Sequence, residues 1–191
     1  MKKKYSNIIV TGCDKTGKST LIKGLTTALA DSDYKYHKGD LPKSTEEAIN
    51  TAHAIIYRCD SHNKSFLMDR FNYPEELVYS HVMAGTPSSE LIDQFSEIFD
   101  WLVETKPLFI YCEATVYDIA RRFIAEKEEV VGIDQIEDIL GQYRKYMAIL
   151  RAAGVPVLQL NSSHMTAASM LAIALDQIET GGQPIYDYQI R

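Results

Sequence analysis

The sequence predicts an α/β fold, a doubly wound five-stranded parallel sheet in a single domain that spans residues 1–191. Two observations lead to this prediction. Short apolar runs alternate with amphipathic stretches of helical length, which is typical of a parallel sheet covered by helices on both faces. The chain also has 191 residues, 46% of them hydrophobic, and shows no repeat or break in composition. A chain of this length can bury one substantial core.

Each element is predicted from a local signal in the sequence. Apolar runs predict strands at 8–11, 65–68, 108–111 and 155–160, and residues 34–37 give a weaker signal for a second strand. Amphipathic stretches predict helices at 18–30, 46–59, 89–103, 115–126, 134–153 and 166–179, and one that opens at Pro74. Ser44 or Thr45, followed by Glu47, resembles a helix N-cap. Gly154 is expected to end the long helix before it, because glycine adopts a left-handed cap at little cost.

Composition and charge exclude several classes of protein. The formal net charge of −6 and the pI near 5.4 argue against a dedicated nucleic-acid-binding module, which is usually basic. The apolar run after the N-terminal lysines is only Ile8–Val10, too short for a signal peptide, and no segment has membrane-spanning length. Cys13, Cys59 and Cys112 are widely spaced and odd in number, which favours free thiols and a cytoplasmic location.

A phosphate-binding loop is the strongest functional signal. The segment from Gly12 to Ser19 reads GCDKTGKS and matches G-x-x-x-x-G-K-[ST] between a predicted strand and a predicted helix. Glycines at these positions let backbone N–H groups point at a phosphate, and the helix dipole favours its charge. We expect Lys18 to contact the β- and γ-phosphates of ATP and Ser19 to hold Mg²⁺. The predicted ATP-binding residues are Gly12, Cys13, Asp14, Lys15, Thr16, Gly17, Lys18, Ser19 and Thr20.

A second signal, Asp69-Arg70-Phe71, follows the third predicted strand. A carboxylate at the carboxyl end of a parallel strand can order a metal ion or its waters, so Asp69 is a second candidate Mg²⁺ ligand. An adjacent arginine can grip a second anion through two parallel hydrogen bonds. A surface ion pair at a strand end is the alternative, but the nearby phosphate-binding loop favours a catalytic role for both residues.

Arginines further along the chain are candidates for the transferring phosphoryl group. Arg121 and Arg122 lie in a segment rich in charge, and residues 115–132 are predicted to form a mobile lid. A lid arginine that closes over the phosphoryl group would stabilise its charge. Mixed charge on a helix is also typical of a solvated face. In the helix at 46–59, Tyr57 and Arg58 are candidates for stacking on a base, although a tyrosine on an apolar helix face more often packs in the core.

Together these motifs resemble the thymidylate kinase and deoxynucleoside kinase group of P-loop kinases. The resemblance implies that Asp14 reads the substrate sugar, that Lys15 is similar to an arginine aimed at the transferring phosphate, and that Arg70 clamps the acceptor phosphate. It also implies a homodimer. After the second strand, thymidylate kinases carry an acidic residue followed by proline and glycine. This chain has Lys38-Gly39-Asp40-Leu41-Pro42 there, so the base stays open.

The sequence therefore predicts an ATP- and Mg²⁺-dependent kinase that phosphorylates a nucleoside monophosphate. A deoxynucleoside kinase is the nearest alternative, but that group carries Glu-Arg-Ser at the third strand, where this chain begins with Asp69. A guanine-nucleotide switch is disfavoured, because Asn63-Lys64-Ser65 is not followed by aspartate and Asp138–Gly141 lies in a predicted helix. A non-catalytic ATP-binding module is the remaining alternative.

Overall fold

A computed structural model of the chain describes residues 4–39, 42–62, 65–128 and 132–181. The strands are β1 Asn7–Thr11, β2 Tyr34–Lys38, β3 Ser65–Asp69, β4 Leu108–Glu113 and β5 Val157–Asn161. The helices are α1 Lys18–Ala28, α2 Thr45–His62, α3 Asn72–Ala84, α4 Ser88–Gln94, α5 Ser96–Thr105, α6 Val116–Ala125, α7 Ile133–Ala152 and α8 Ala167–Thr180. The predicted α/β class is confirmed.

The five strands form one parallel sheet in the order β2-β3-β1-β4-β5. Strand β1 is central and buried along its whole length, as expected for a strand with neighbours and helices on every side. The chain reverses its direction of winding on either side of β1, so loops at the carboxyl ends of β1 and β3 face a common crevice. In the register, Val10 lies opposite Asp69, which brings the end of β3 beside the end of β1.

Two hydrophobic layers cover the sheet, because successive side chains of each strand point to opposite faces. One layer contains Ile8 and Val10 of β1 together with Leu25 of α1 and Ala174 of α8. The other contains Ile9 of β1 with side chains of α2, α3, α5 and α7. Helices therefore lie on both sides, which is the doubly wound arrangement that the sequence predicts.

Apart from shifts of up to three residues at the ends of elements, the structure differs from the predicted elements at one helix. The helix predicted at 89–103 is two helices, α4 and α5, which meet at Phe95. The N–H of Phe95 is shared between the carbonyls of Leu91 and Ile92, and its side chain is fully buried. Both short helices contribute buried apolar residues to the same core, Leu91 from α4 and Ile98 from α5. As predicted, Gly154 has a positive φ (80°), and it follows Ala153, the C-cap residue of α7.

Across the described ranges, none of the helices combines the length and apolar character needed to cross a membrane.

Candidate active site

The phosphate-binding loop links β1 to α1 and has the backbone that its glycines predict. Gly12 has φ 133°, and a Cβ atom there would lie 2.1 Å from the carbonyl oxygen of Cys112 on β4. Gly17 has φ 89° and caps the N-terminus of α1. Glycine adopts both conformations without a steric penalty, and only glycine fits against β4 at position 12. The N-terminus of α1 therefore opens onto the loop, where an anion is favoured.

Lys18 is buried inside this loop, with 6% of its surface exposed. Its Nζ donates to the carbonyl oxygens of Gly12 and Cys13, each at 2.5 Å. Burial, followed by the charge of Arg70, lowers the pKa of Lys18. Cys13 in the same loop is also buried, and burial raises the pKa of its thiol to about 11. The cation is thus held at a fixed place in a buried part of the loop, where its charge would act strongly on an incoming phosphate.

Arg70 follows β3 and faces the loop. Its backbone N–H donates to the carbonyl of Val10 at 3.0 Å, and its φ of 69° is left-handed, which is unusual for a residue with a side chain. The guanidinium donates to the carboxylate of Asp14, which also lies 3.8 Å from Nζ of Lys18. Asp14 therefore lies between two cations, one in the loop and one at the end of β3.

These groups line a single cavity of about 1090 Å³. The size is near the upper end of the usual range for small-molecule sites. Its lining combines the phosphate-binding loop, the end of β3, and parts of α3, α6 and the β5–α8 loop. The lining residues used below are Asp14, Lys15, Lys18, Ser19, Thr20, Asp69, Arg70, Tyr79, Arg122, Glu126, Glu128 and Ser162.

Ser19 and Asp69 both line this cavity and are suitable Mg²⁺ ligands. A hydroxyl and a carboxylate are hard oxygen donors, which Mg²⁺ prefers. Within the described ranges, no group of three or more His, Cys, Asp and Glu side chains could hold a metal by itself. This fits a cation that takes one or two protein ligands and completes its shell with phosphate oxygens and water. The hydroxyl of Tyr36 donates to Oδ2 of Asp69 at 3.4 Å.

Arg122 of α6 is in contact with the loop, whereas Arg121 is not. Arg122 donates to the carbonyl of Lys15 at 2.6 Å and to Oγ of Ser162 at 2.8 Å. Arg121 is exposed and pairs with Asp118 at 3.1 Å on the same helix. Of the two lid arginines predicted from the sequence, the structure brings only Arg122 to the cavity. Residues 129–131 of the predicted lid segment 115–132 lie outside the described residues.

Two lid carboxylates bind the lysine of the loop. Nζ of Lys15 lies 2.5 Å from Glu126 and 2.7 Å from Glu128, and these hydrogen bonds raise its pKa. The same Nζ lies 5.3 Å from the ring centroid of Phe123. Lys15 is thus turned toward the lid in this structure, and its charge is matched by two negative groups. We use the name lid latch for the contacts of Lys15 with Glu126 and Glu128.

The residues proposed to stack on a base do not lie in this cavity. Tyr57 is 70% exposed on α2. Arg58 lines a separate cavity of about 530 Å³ between α2 and His37 of β2. The structure therefore does not bring Tyr57 or Arg58 together with the phosphate-binding loop. Asp40, Leu41, Asn63 and Lys64, which entered the arguments about the base and the guanine switch, lie outside the described residues.

Sequence reasoning missed Glu75, a buried carboxyl group on α3. It is 7% exposed, and its Oε1 accepts from Oγ1 of Thr11 at 2.5 Å. Burial raises the pKa of Glu75 to about 7, although the charge of Arg70 acts in the opposite direction. In the sequence, Pro74-Glu75-Glu76 is an ordinary acidic helix start, so no local signal distinguishes the buried glutamate from its neighbour.

The fold is also found in solved structures of other proteins. The chain shares the α/β fold of solved P-loop nucleotide and nucleoside kinases. It resembles the YorR protein from Bacillus subtilis, solved in complex with phosphorylated GDP, with a TM-score of 0.69 and 22% identity over 92% of this chain and 96% of that one.

Two further structures share this fold. Deoxyadenosine kinase from M. mycoides with bound dATP gives a TM-score of 0.68 at 11% identity, over 91% of this chain and 100% of that one. Thymidylate kinase from Candida albicans gives 0.58 at 16% identity, over 95% and 94%. At these identities the likeness establishes the fold. No protein-family model and no curated protein sequence matches the chain.

Proposed function

We propose that this protein is an ATP- and Mg²⁺-dependent nucleoside monophosphate kinase, similar to thymidylate kinase, that transfers the γ-phosphoryl group of ATP to a nucleotide. One observation carries the proposal. A second cation, Arg70, faces the same cavity as the phosphate-binding loop, and its present partner is the carboxylate of Asp14. A guanidinium in this position can take two oxygens of a second phosphate beside the one bound by the loop.

Catalysis on this proposal is positioning combined with stabilisation of charge. The loop and Lys18 would hold the β- and γ-phosphates of ATP, while Ser19 and Asp69 would hold Mg²⁺, which neutralises charge on the phosphates. Arg70 would orient the acceptor phosphate, and Asp14 would contact the acceptor sugar. Lys15 and Arg122, which approach the cavity from its lid side, would stabilise the charge of the transferring group.

Arg122 is proposed as the lid arginine in preference to Arg121. Its hydrogen bonds to Lys15 and Ser162 already place its guanidinium at the edge of the cavity. Arg121 would have to leave Asp118 and reach around α6, because neighbouring residues of a helix project about 100° apart. A monophosphate acceptor also needs no strong base, because its phosphate oxygen is already ionised at neutral pH.

A deoxynucleoside kinase is the second candidate. The deoxyadenosine kinase structure gives a higher TM-score (0.68) than the thymidylate kinase structure (0.58), which favours this alternative. A nucleoside acceptor would present a neutral 5′-hydroxyl, which requires a carboxylate as general base. Asp69 is the carboxylate at the end of β3 that faces the cavity, so it would have to serve both as base and as metal ligand.

The two candidates are separated by measuring ADP release with Mg²⁺ and ATP across the common ribo- and deoxyribonucleosides and their 5′-monophosphates. We expect turnover with at least one monophosphate and a kcat/KM for it that exceeds that of the matching nucleoside. Better turnover of the nucleosides would favour the second candidate. ATP binding without transfer to any acceptor would indicate a non-catalytic module.

A further inference from the structure

Glu75 is a buried carboxyl group that the proposed mechanism leaves without a role. It belongs to α3, yet its carboxyl group reaches Thr11, the last residue of β1 before the phosphate-binding loop. Its second oxygen, Oε2, has no hydrogen-bond partner among the described residues. Buried polar atoms are nearly always paired, and each exception in a native structure needs an explanation. The unpaired Oε2 of Glu75, in a buried carboxyl group next to the phosphate-binding loop, is such an exception.

The groups that interact with Glu75 come from several elements. Thr11 of β1 donates a hydrogen bond to it, and Lys18 of α1, Tyr79 of α3, Tyr143 of α7 and Arg70 after β3 interact with it electrostatically. The charges of Arg70 and Lys18 both favour the ionised carboxylate. The hydroxyls of Tyr79 and Tyr143 have no hydrogen-bond partner within the described part of the chain, and the two rings meet edge to face at 6.3 Å. The two cations of the site are therefore what compensates an ionised Glu75.

We propose that Glu75 is a positioning residue for the acceptor site, which in its ionised form holds the guanidinium of Arg70 toward the acceptor phosphate. The proposal rests on the proposed kinase function. In this structure Arg70 pairs with Asp14, whereas on the proposed function Asp14 would contact the acceptor sugar. When Asp14 is engaged, Glu75 remains as a buried carboxylate whose charge acts on Arg70, and Thr11 fixes it to β1. The left-handed backbone at Arg70, with φ 69°, fixes where the side chain of Arg70 starts.

The proposal gives Glu75 no contact with substrate. Glu75 is not part of the cavity lining, whereas Arg70 and Tyr79 are. Its effect must therefore appear as a change in how Arg70 acts. Because the charge of Glu75 acts on Arg70, its loss should change the affinity for the acceptor phosphate that Arg70 would bind. The effect on ATP should be smaller, since the phosphate-binding loop would hold ATP separately.

The kinetic test compares wild type with Glu75→Gln, which keeps the size of the side chain and an oxygen for Thr11 but removes the charge. We expect acceptor kcat/KM to fall by about tenfold, mainly through KM, with ATP affinity within about twofold. Glu75→Asp should recover part of the loss, because it keeps the charge. Glu104→Gln, on the exposed surface of α5, is the matched control. A larger effect on ATP affinity than on the acceptor would overturn the proposal, as would an altered order of preference among bases.

The pH dependence of acceptor kcat/KM distinguishes the proposed role of Glu75 from a purely structural role, which would not change that dependence. The acceptor kcat/KM of wild type should rise as Glu75 ionises, with a midpoint near its pKa of about 7. The acceptor phosphate ionises at a pH of about 6, but this contributes equally to both proteins and cancels in their ratio. The ratio of wild type to Glu75→Gln should therefore increase through neutral pH. A ratio that stays constant between pH 5.5 and 8.5 would overturn the proposal.

A measurement without substrate separates this proposal from the kinase function. At pH 8, Arg70→Met should lower the Tm of wild type more than it lowers the Tm of Glu75→Gln. In wild type the substitution leaves the buried carboxylate of Glu75 without its compensating cation, whereas Glu75→Gln has no such carboxylate. Additive shifts in Tm would overturn the role of Glu75 whatever the enzyme does. Non-additive shifts together with no transfer to any monophosphate would instead reject the proposed kinase function and retain the Glu75–Arg70 coupling.

Discussion

Replacing Arg70 with alanine should damage use of the acceptor far more than binding of ATP. The side chain is about four-fifths buried, with 20% of its surface exposed, and its guanidinium already binds a carboxylate, that of Asp14. A phosphate that took the place of this carboxylate would make a desolvated, charge-assisted contact. On the proposed function the loop and Lys18 would hold ATP on the other side of Asp14, so we expect its binding to depend little on Arg70.

The magnitude follows from the burial of the pair. Loss of one partner of a buried, hydrogen-bonded charge pair costs about 2–5 kcal/mol. Since about 1.4 kcal/mol corresponds to a factor of ten, acceptor kcat/KM should fall by about a hundredfold or more. Arg70→Lys should recover only part of this loss, because a lysine keeps the charge but not the planar fork. Lys23→Ala, at an exposed position of α1, removes a cation away from the site.

The assay measures ATP affinity by titration calorimetry and acceptor kinetics by ADP release, for wild type and the three variants. Unchanged monophosphate kinetics in Arg70→Ala would refute the assignment of the acceptor site. A large loss of ATP affinity in the same variant would show that Arg70 belongs to the ATP subsite. If nucleosides react as well with the variant as with wild type while monophosphates do not, the assignment of Arg70 to the acceptor phosphate is supported directly.

Three further predictions concern the loop, the lid and the buried glutamate. Lys18→Ala should abolish phosphoryl transfer, while circular dichroism should show that the fold is intact. Turnover close to that of wild type would contradict the proposed role of the phosphate-binding loop. Replacing both glutamates of the lid latch with glutamine should speed hydrogen exchange in the described part of the lid without ligand. In wild type, both substrates together should slow that exchange, and equal protection in all states would remove the lid from the mechanism. Because the pKa of Glu75 is raised from 4.5 to about 7, the folded state binds its proton more tightly than the unfolded state does. The free energy of unfolding of wild type, relative to Glu75→Gln, should therefore fall by about 3 kcal/mol from pH 4.5 to 7. Urea unfolding at both pH values measures this change, and an equal difference at the two pH values would contradict the prediction.

The sequence predicts the sheet and the loop because both depend on local patterns. The segment from Gly12 to Ser19 determines its own backbone, and apolar runs mark four of the five strands, whereas the edge strand β2 has the sequence YKYHK and gives a weaker signal. Proximity of the loop to Asp69 and Arg70 also follows, since the carboxyl ends of adjacent parallel strands meet at one edge of the sheet. The strand register, with Val10 opposite Asp69, confirms that adjacency.

What the sequence could not provide depends on which way a helix faces. Tyr57 and Arg58 have the composition of a base-stacking pair, but the rotation of α2 places one in solvent and the other at a different cavity. Arg121 and Arg122 are neighbours, and only the packing of α6 determines which of them meets the loop. Glu75 is buried because α3 packs beneath the loop, which is a tertiary contact that no local pattern reveals.

The burial of Cys13 has a practical consequence for experiments on this protein. All three cysteines are free and buried, and the thiolate of Cys13 is disfavoured because its pKa is raised to about 11. A thiol reagent therefore reacts at Cys13 only when the phosphate-binding loop opens, since alkylation requires an accessible thiolate. The rate of labelling at Cys13, measured by mass spectrometry on the wild-type protein, therefore reports how often the phosphate-binding loop opens.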